Sequence, residues 1–256
     1  MGARMRERSL IDTTQVPENT APQYRSAGAT HTGLVRPSNQ DAFVERPSLR
    51  PSLGLWAVAD GMGGHRDGDV ASRMIRDALE GHAGAATLEE AIDDVRQRMS
   101  DVNTTLYSAA VRPINPVQSG STVVVLLIRE LSCAVLWAGD SRVYRLRDGR
   151  LAQLTRDHTW ASQMNLEEAP GEELDHSITR AVGGEDVLLL DVYRDRVRHG
   201  DRYLLCSDGL TRELSAARIA LLLSTGDAQE STDALIKATL DAGAHDNVTV
   251  VVVDAV

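Results

Sequence analysis

The stretch STVVVLLIRELSCAVLWAGD (Ser121–Asp140) decides the fold. Two apolar runs, Val123–Ile128 and Cys133–Ala138, stand either side of Arg129, Glu130, Leu131 and Ser132. Runs this short, rich in β-branched residues and this tightly joined, predict an antiparallel hairpin. SRVYRLRDGRLAQLT (Ser141–Thr155) follows at once as a second hairpin, with Asp148-Gly149 at its turn. Further strands are expected at LGLWAVAD (Leu53–Asp60), DRYLLCSDG (Asp201–Gly209) and HDNVTVVVVDAV (His245–Val256).

Helical periodicity lies between and after these runs. Val70, Met74 and Ala78, with Ile75 and Leu79 on the adjacent row, predict one helix. Thr87-Leu-Glu-Glu90 is a capping box, in which the threonine side chain and the glutamate satisfy free backbone N–H groups. It opens a longer helix with Leu88, Ala91, Ile92, Val95, Met99, Val102 and Leu106 as its apolar stripe, closed by Pro113 and Pro116. Two more helices are expected near 215–224 and 228–242. Strands in hairpins and helices in pairs argue for an α+β fold: two mostly antiparallel sheets, packed face to face and flanked by helices. Residues 1–24 are polar and aperiodic and are expected to be a mobile tail, with order beginning near Tyr24–Ala29. Residues 25–256 then form a single domain, from which about 157–184 is expected to loop out as a mobile excursion.

The chain has 256 residues, 42% hydrophobic and 25% charged, which is ordinary for a globular protein. Aromatic residues make up only 4%, so the core must be aliphatic. The net charge of −10 argues against nucleic-acid binding, which needs a basic footprint. Cys133 and Cys206 each sit inside an apolar run and read as buried core residues, not as a disulfide framework. No apolar stretch reaches the roughly 18 residues of a membrane span. The basic start MGARMRERSL lacks the apolar segment of a secretory signal. A cytoplasmic protein, taken as a monomer, is the default.

One arrangement recurs with chemical meaning. Apolar runs end in aspartate at AVAD60-Gly61, LWAGD140 and LLCSD208-Gly209, and Asp246-Asn247 stands just before the run VTVVVV. Rigid strands would deliver these carboxylates to a sheet edge. Carboxylate oxygens are hard ligands that suit Mg²⁺ or Mn²⁺. Any single Asp-Gly is better read as turn chemistry, as at Asp148-Gly149. Several at the ends of apolar runs, with Asn39-Gln-Asp41 upstream, point to a cluster that would resist ionising unless it gathered cations.

With those residues in view, the chain resembles the PP2C-type (PPM) protein phosphatases. VRPSNQDA (Val35–Ala42), VADGMGGH (Val58–His65), GSTVVVLLI, WAGDSRVYRL, LTRDHTW, ITRAVGG, LLCSDGL and HDNVTVVVV follow that family's motifs in its order, over about residues 26–254. The resemblance implies a four-layer α-β-β-α sandwich and a phosphatase of phosphoserine and phosphothreonine in proteins. It implies that Asp60 bridges two metals, that the Gly61 carbonyl binds one of them, and that Asp208 and Asp246 bind the other. Asp140 and Asp208 would hold a third, weaker ion. Arg36 would grip the phosphoryl oxygens, Asp41 would act near the metals, and Asn39 and Asn247 would support the site. Attack would come from a hydroxide bridging two cations. His65 is the candidate proton donor to the leaving group, while His158 is expected to anchor the excursion. In relatives the segment corresponding to 157–184 is a flap beside the active site. Here, as ASQMNLEEAPGEELDHSITRAVGG, it is shorter and more acidic, and no proline follows His176.

Other chemistries fit less well. HRDGD (His65–Asp69) mimics a kinase triplet without the other kinase motifs. Arg212 stands six residues after Cys206, but the intervening SDGLT carries a metal aspartate and not a cysteine-phosphatase loop. A pseudophosphatase would have lost metal aspartates or Arg36. A stress-regulator phosphatase would diverge further in its motifs. The expected partner is a phosphorylated protein, the substrate of a bacterial Ser/Thr kinase; type VI secretion is one setting for such an enzyme.

Overall fold

Alternation of side chains along the strands organises the molecule. The computed structural model describes residues 23–49, 53–63, 68–112, 114, 117, 119–164 and 177–256. β5 (Val123–Arg129) and β6 (Ser132–Ala138) form the expected hairpin, from Val123 opposite Ala138 to Arg129 opposite Ser132. On one face of β5, Val124, Leu126 and Ile128 pack with Trp56, Tyr203 and Val251. On the other, Val123, Val125 and Leu127 pack with Ile75, Ile92 and Met99. A strand buried on both faces loses the polar alternation of a half-exposed one, which explains the unbroken apolar runs.

One sheet has the order β1 (Tyr24–His31), β11 (Val248–Ala255), β10 (Arg202–Cys206), β7 (Arg142–Arg147) and β8 (Arg150–Gln153). The other runs β2 (Asp41–Leu49), β3 (Leu53–Gly63), β5, β6 and β9 (Asp191–Arg196), with the short β4 (Ser119–Ser121) on the end of β3. Every pairing is antiparallel. Trp56, Leu126, Val135, Tyr203 and Val253 fill the space between the sheets. α1 (Gly68–Glu80) and α2 (Leu88–Ala110) cover the second sheet. α4 (Asp208–Glu213), α5 (Ala216–Leu223) and α6 (Ala228–Ala242) cover the first, through Leu210, Ile219, Leu223 and Leu235. The layers are therefore α-β-β-α, as expected. α3 (Trp160–Gln163) is a single turn at the start of the excursion.

Local signals are met in detail. Glu90 N donates to Thr87 Oγ1 at 3.1 Å, and Thr87 N donates to Glu90 Oε2 at 3.2 Å, completing the capping box. Asp148 and Gly149 turn the β7–β8 hairpin with φ of 51° and 72°. Both cysteines are buried and free. No described helix is long and apolar enough to cross a membrane.

Other expectations need correction. α1 turns Ala71, Ser72, Ile75 and Leu79 inward, so Val70 is 40% exposed and Met74 and Ala78 are only partly buried. β1, β2 and β9 were not among the expected strands. All three are sheet edges. An edge strand has one unpaired side and a polar composition, so its apolar signal is weak. The run beginning at Ser121 is broken at Thr122: Ser121 belongs to β4, and β5 begins at Val123, both pairing with β3. The sequence DRYLLCSDG is not one strand to its end: β10 stops at Cys206 and Asp208 opens α4. Either side of residues 165–176 the excursion is tied down by bridges from Thr159 to Ile178 and from Ser121 to Val182. Residues 1–22, 165–176, Pro113 and Pro116 lie outside the described residues.

Leu126 is fully buried between the sheets. Leu126→Ala is expected to lower unfolding free energy by about 2–5 kcal/mol in denaturant titration, more than any truncation at the exposed Leu221.

Candidate metal centre

The second and first sheets meet at one rim, and the aspartates lie there by different means. Asp60 is inside β3 and pairs in register with Asp41 at the start of β2. Asp140 is in the turn after β6, and Asp208 is the first residue of α4. Asp246 precedes β11. The strand-end picture therefore holds loosely: one carboxylate is inside a strand and one opens a helix.

Two glycines let these backbones meet. A Cβ on Gly61 would collide with the carbonyl oxygens of Gly68 and Gln40. A Cβ on Gly209 would collide with the carbonyl of Asn247. The glycine after each aspartate thus has a packing role in the chain itself.

Asp41 is held from the start of α4 and from β11. Its Oδ2 accepts from Ser207 Oγ at 2.8 Å and from Thr249 Oγ1 at 2.7 Å, while its buried Oδ1 has no partner among the described residues. Asn39 Oδ1 accepts from the Asp41 N–H at 3.1 Å, and Asn39 Nδ2 donates to Thr30 Oγ1 at 2.8 Å. Asn247 ties the preceding loop down: Oδ1 accepts from Gln40 N at 2.9 Å, and Nδ2 donates to the carbonyls of Thr32 and Ser38 at 2.8 and 3.0 Å. The Asp60 carbonyl accepts from Thr122 N at 2.9 Å and Ser121 Oγ at 3.0 Å.

The charges feel one another. Burial, then the charges of Asp41, Asp208, Asp140 and Asp246, push the Asp60 carboxyl well above the ordinary range. Burial raises Asp41 to about 7 against the pull of its two hydroxyl donors. Burial and the neighbouring Asp208 and Asp157 raise Asp140 to about 7. Asp208 is raised by burial, opposed by Arg212.

Two guanidinium groups answer this charge. Arg36 Nη2 donates to Asp246 Oδ2 at 2.7 Å. Arg212 Nη2 stands 2.5 Å from Asp208 Oδ2, and its Nη1 is 3.8 Å from Asp246 Oδ2. Sequence reasoning gave Arg212 no place at the site. Its signal was present, because four residues along a helix return a side chain to the same face as Asp208, but α4 itself was unrecognised. Ser207 and Thr249 were likewise overlooked. His65 lies outside the described residues. His158 sits under the excursion: Gly139 N donates to its Nδ1 at 3.2 Å, its ring stacks on Trp137, and its Nε2 is 3.2 Å from Asp191.

The donor set fits divalent cations. It is made of oxygen, it is anionic, and the Oδ1 atoms of Asp41, Asp140 and Asp208 are buried without partners among the described residues. Among the described residues, no three acidic, histidine or cysteine side chains already converge at ligand distance. The carboxylates of Asp208 and Asp246 are held on the arginines, so cation binding must loosen those pairs.

Comparison with known proteins follows this geometry. The family model for protein phosphatase 2C matches residues 28–241. The chain belongs to the protein phosphatase 2C family. The serine/threonine protein phosphatase PstP of Mycobacterium tuberculosis is 36% identical over 244 residues, covering 91% of this chain and 45% of PstP. The chain thus spans about half the length of that relative. PppA, described as a key regulatory component of T6SS in Pseudomonas aeruginosa, superposes with a TM-score of 0.84 at 37% identity, over 93% of this chain and 100% of that one. The catalytic domain of PstP in complex with two manganese ions gives 0.79 at 34% identity, over 90% and 97%.

The raised carboxyls set a pH dependence for the metal-free protein. Asp41 and Asp140 keep their protons up to about pH 7 when folded and release them near about pH 4 when unfolded. The folded state therefore binds more protons across that window, and stability falls as pH rises through it. Asp140→Asn is expected to raise the melting temperature in chelator at pH 8, by about 2–4 °C for each kcal/mol relieved, and by less at pH 5. Calorimetry at the two pH values checks this; equal shifts would contradict it.

Proposed function

We propose that this chain is a bacterial protein phosphatase that hydrolyses phosphoserine and phosphothreonine with two divalent cations, Mn²⁺ or Mg²⁺. The observation that carries this reading is the gathering of Asp41, Asp60, Asp208 and Asp246 with Arg36 at one rim, in a chain whose relative PstP binds two manganese ions. Asp60, the Gly61 carbonyl, Asp208 and Asp246 would hold the two cations, and Asp140 with Asp208 a third. When bound, the cations supply Lewis-acid charge for the phosphoryl oxygens and acidify water to a nucleophile near neutral pH.

The chain's own groups do the rest. Arg36 is half exposed beside Asp246, where its planar fork can take two phosphoryl oxygens and offset their charge. Asp41, fixed on Oδ2, presents Oδ1 as a site for holding a proton or orienting water. Asn39 and Asn247 keep Asp41 and the Arg36 loop in register. His65 is the proton donor we assign to the leaving oxygen.

The proposed substrates are phosphoproteins made by a Ser/Thr kinase of the same cytoplasm, with the enzyme acting as a monomer. PppA makes type VI secretion the first setting to examine.

Hydrolysis of p-nitrophenyl phosphate and of a phosphothreonine peptide with Mn²⁺ tests the reading. Asp208→Ala is expected to lose about 100-fold or more in kcat/KM. Arg36→Ala is expected to lose about 10- to 100-fold, on the scale of removing one donor from a developing anion. Activity that survives chelation, or an Asp208→Ala variant as active as the wild type, would overturn it.

A further inference from the structure

Beside the carboxylate cluster, a cavity of about 290 Å³ opens between Asp140, Asp157, Thr159, Asp208 and Arg212. Its walls are unequal in charge balance. Asp157 is fully engaged: Arg142 Nε donates to both of its oxygens at 3.0 Å, Arg142 Nη2 at 2.7 Å and Gln153 Nε2 at 3.0 Å. Arg142 has its remaining contact on Tyr144 Oη at 3.0 Å. Asp140 is 5% exposed, makes no ion pair among the described residues, and leaves Oδ1 buried without a partner. Asp208 also has an orphan Oδ1. Two buried carboxylates with free oxygens on one cavity form a cation position by their chemistry.

Arg212 is the group that meets this charge. It sits one helical turn after Asp208, on the same face of α4, and its guanidinium reaches Asp208 Oδ2 while Nη1 stands 3.8 Å from Asp246 Oδ2. The side chain is 53% exposed, so the guanidinium can exchange these contacts for water. A guanidinium at 2.5 Å from Asp208 Oδ2 takes an oxygen that a metal would need, and adds a positive charge next to any ion that enters.

We propose that Arg212 is a built-in competitor for the cation position between Asp140 and Asp208, a residue of this chain that weakens ion binding at that position. The inference rests on the metal centre of the proposed function and adds to it a residue that sets its stoichiometry. The arginine acts on the cation, through Asp208, and is a positioning residue with no contact to substrate required of it.

Calorimetric titration of the metal-stripped full chain with MnCl₂, without substrate, tests this. The wild type is expected to bind two ions firmly. Arg212→Ala and Arg212→Gln are each expected to tighten a further Mn²⁺ by about three- to tenfold, the scale of removing one partly exposed ion pair. Arg212→Lys, which keeps the charge, is expected to stay near the wild type. Adding Asp140→Asn to Arg212→Ala is expected to abolish the gain, which separates the cavity from any effect on the other two ions. Isotherms for both neutral variants that match the wild type would overturn the inference while leaving the two-ion centre standing, as would a wild type that already binds three ions equally well. A wild type that binds no Mn²⁺ would overturn the metal centre and this inference together.

Discussion

Crowded like charge at the rim of the two sheets is the constraint on which the rest depends. Asp60 stands among Asp41, Asp140, Asp208 and Asp246, and each neighbour makes its ionisation harder. In low dielectric such a cluster is unstable unless positive charge joins it. Every nearby feature moderates that repulsion. Ser207 and Thr249 hydroxyls donate to Asp41, Arg36 pairs with Asp246, and Arg212 pairs with Asp208. The cluster costs stability in the metal-free chain, and that cost is what gives it an appetite for divalent cations.

A rim of this kind needs a platform that does not yield. The sandwich provides it because its central strands are buried on both faces. β11 sends Val248, Val250 and Val252 toward the helices and Val251 and Val253 toward the other sheet. β3, β5, β6 and β10 divide their side chains in the same way. Loops that carry Arg36 and Asn39 are then pinned to this platform by Asn247, whose amide reaches three backbone groups from Thr32 to Gln40. Gly61 and Gly209 allow the backbones to close up where a side chain would hold them apart.

On the proposed reading, cations of two kinds compete at this rim. Guanidinium groups are tethered and carry single charge; divalent ions are free and carry twice as much. The tether makes Arg36 and Arg212 always available, and their exposure lets them give way. In that sense the protein phosphatase 2C scaffold of this chain carries its own counter-ions. The position of Arg212 on the last turn of α4, one turn after Asp208, links the fold, through helical spacing, to the electrostatics of the site.

Much was legible in the sequence because it depended on neighbours along the chain. The Val123–Ala138 hairpin, the Asp148-Gly149 turn, the Thr87–Glu90 capping box and the stripe of α2 are all local patterns, and the ordered motifs around Asp60, Asp140, Asp208 and Asp246 stand in short stretches. What only the tertiary structure decided are matters of long-range contact. Edge strands β1, β2 and β9 exist because a partner strand pairs with them, not because their own residues are apolar. The inward face of α1 depended on where the helix meets β3, which put Ala71 inside and left Val70 outside. The pairing of Asp41 with Asp60, the grip of Ser207 and Thr249 on Asp41, and the approach of Arg212 to Asp246 join residues that are separated in the chain and adjacent only when the sheets have closed. Periodicity records which face of a segment is dry; it does not record which charges will share the rim.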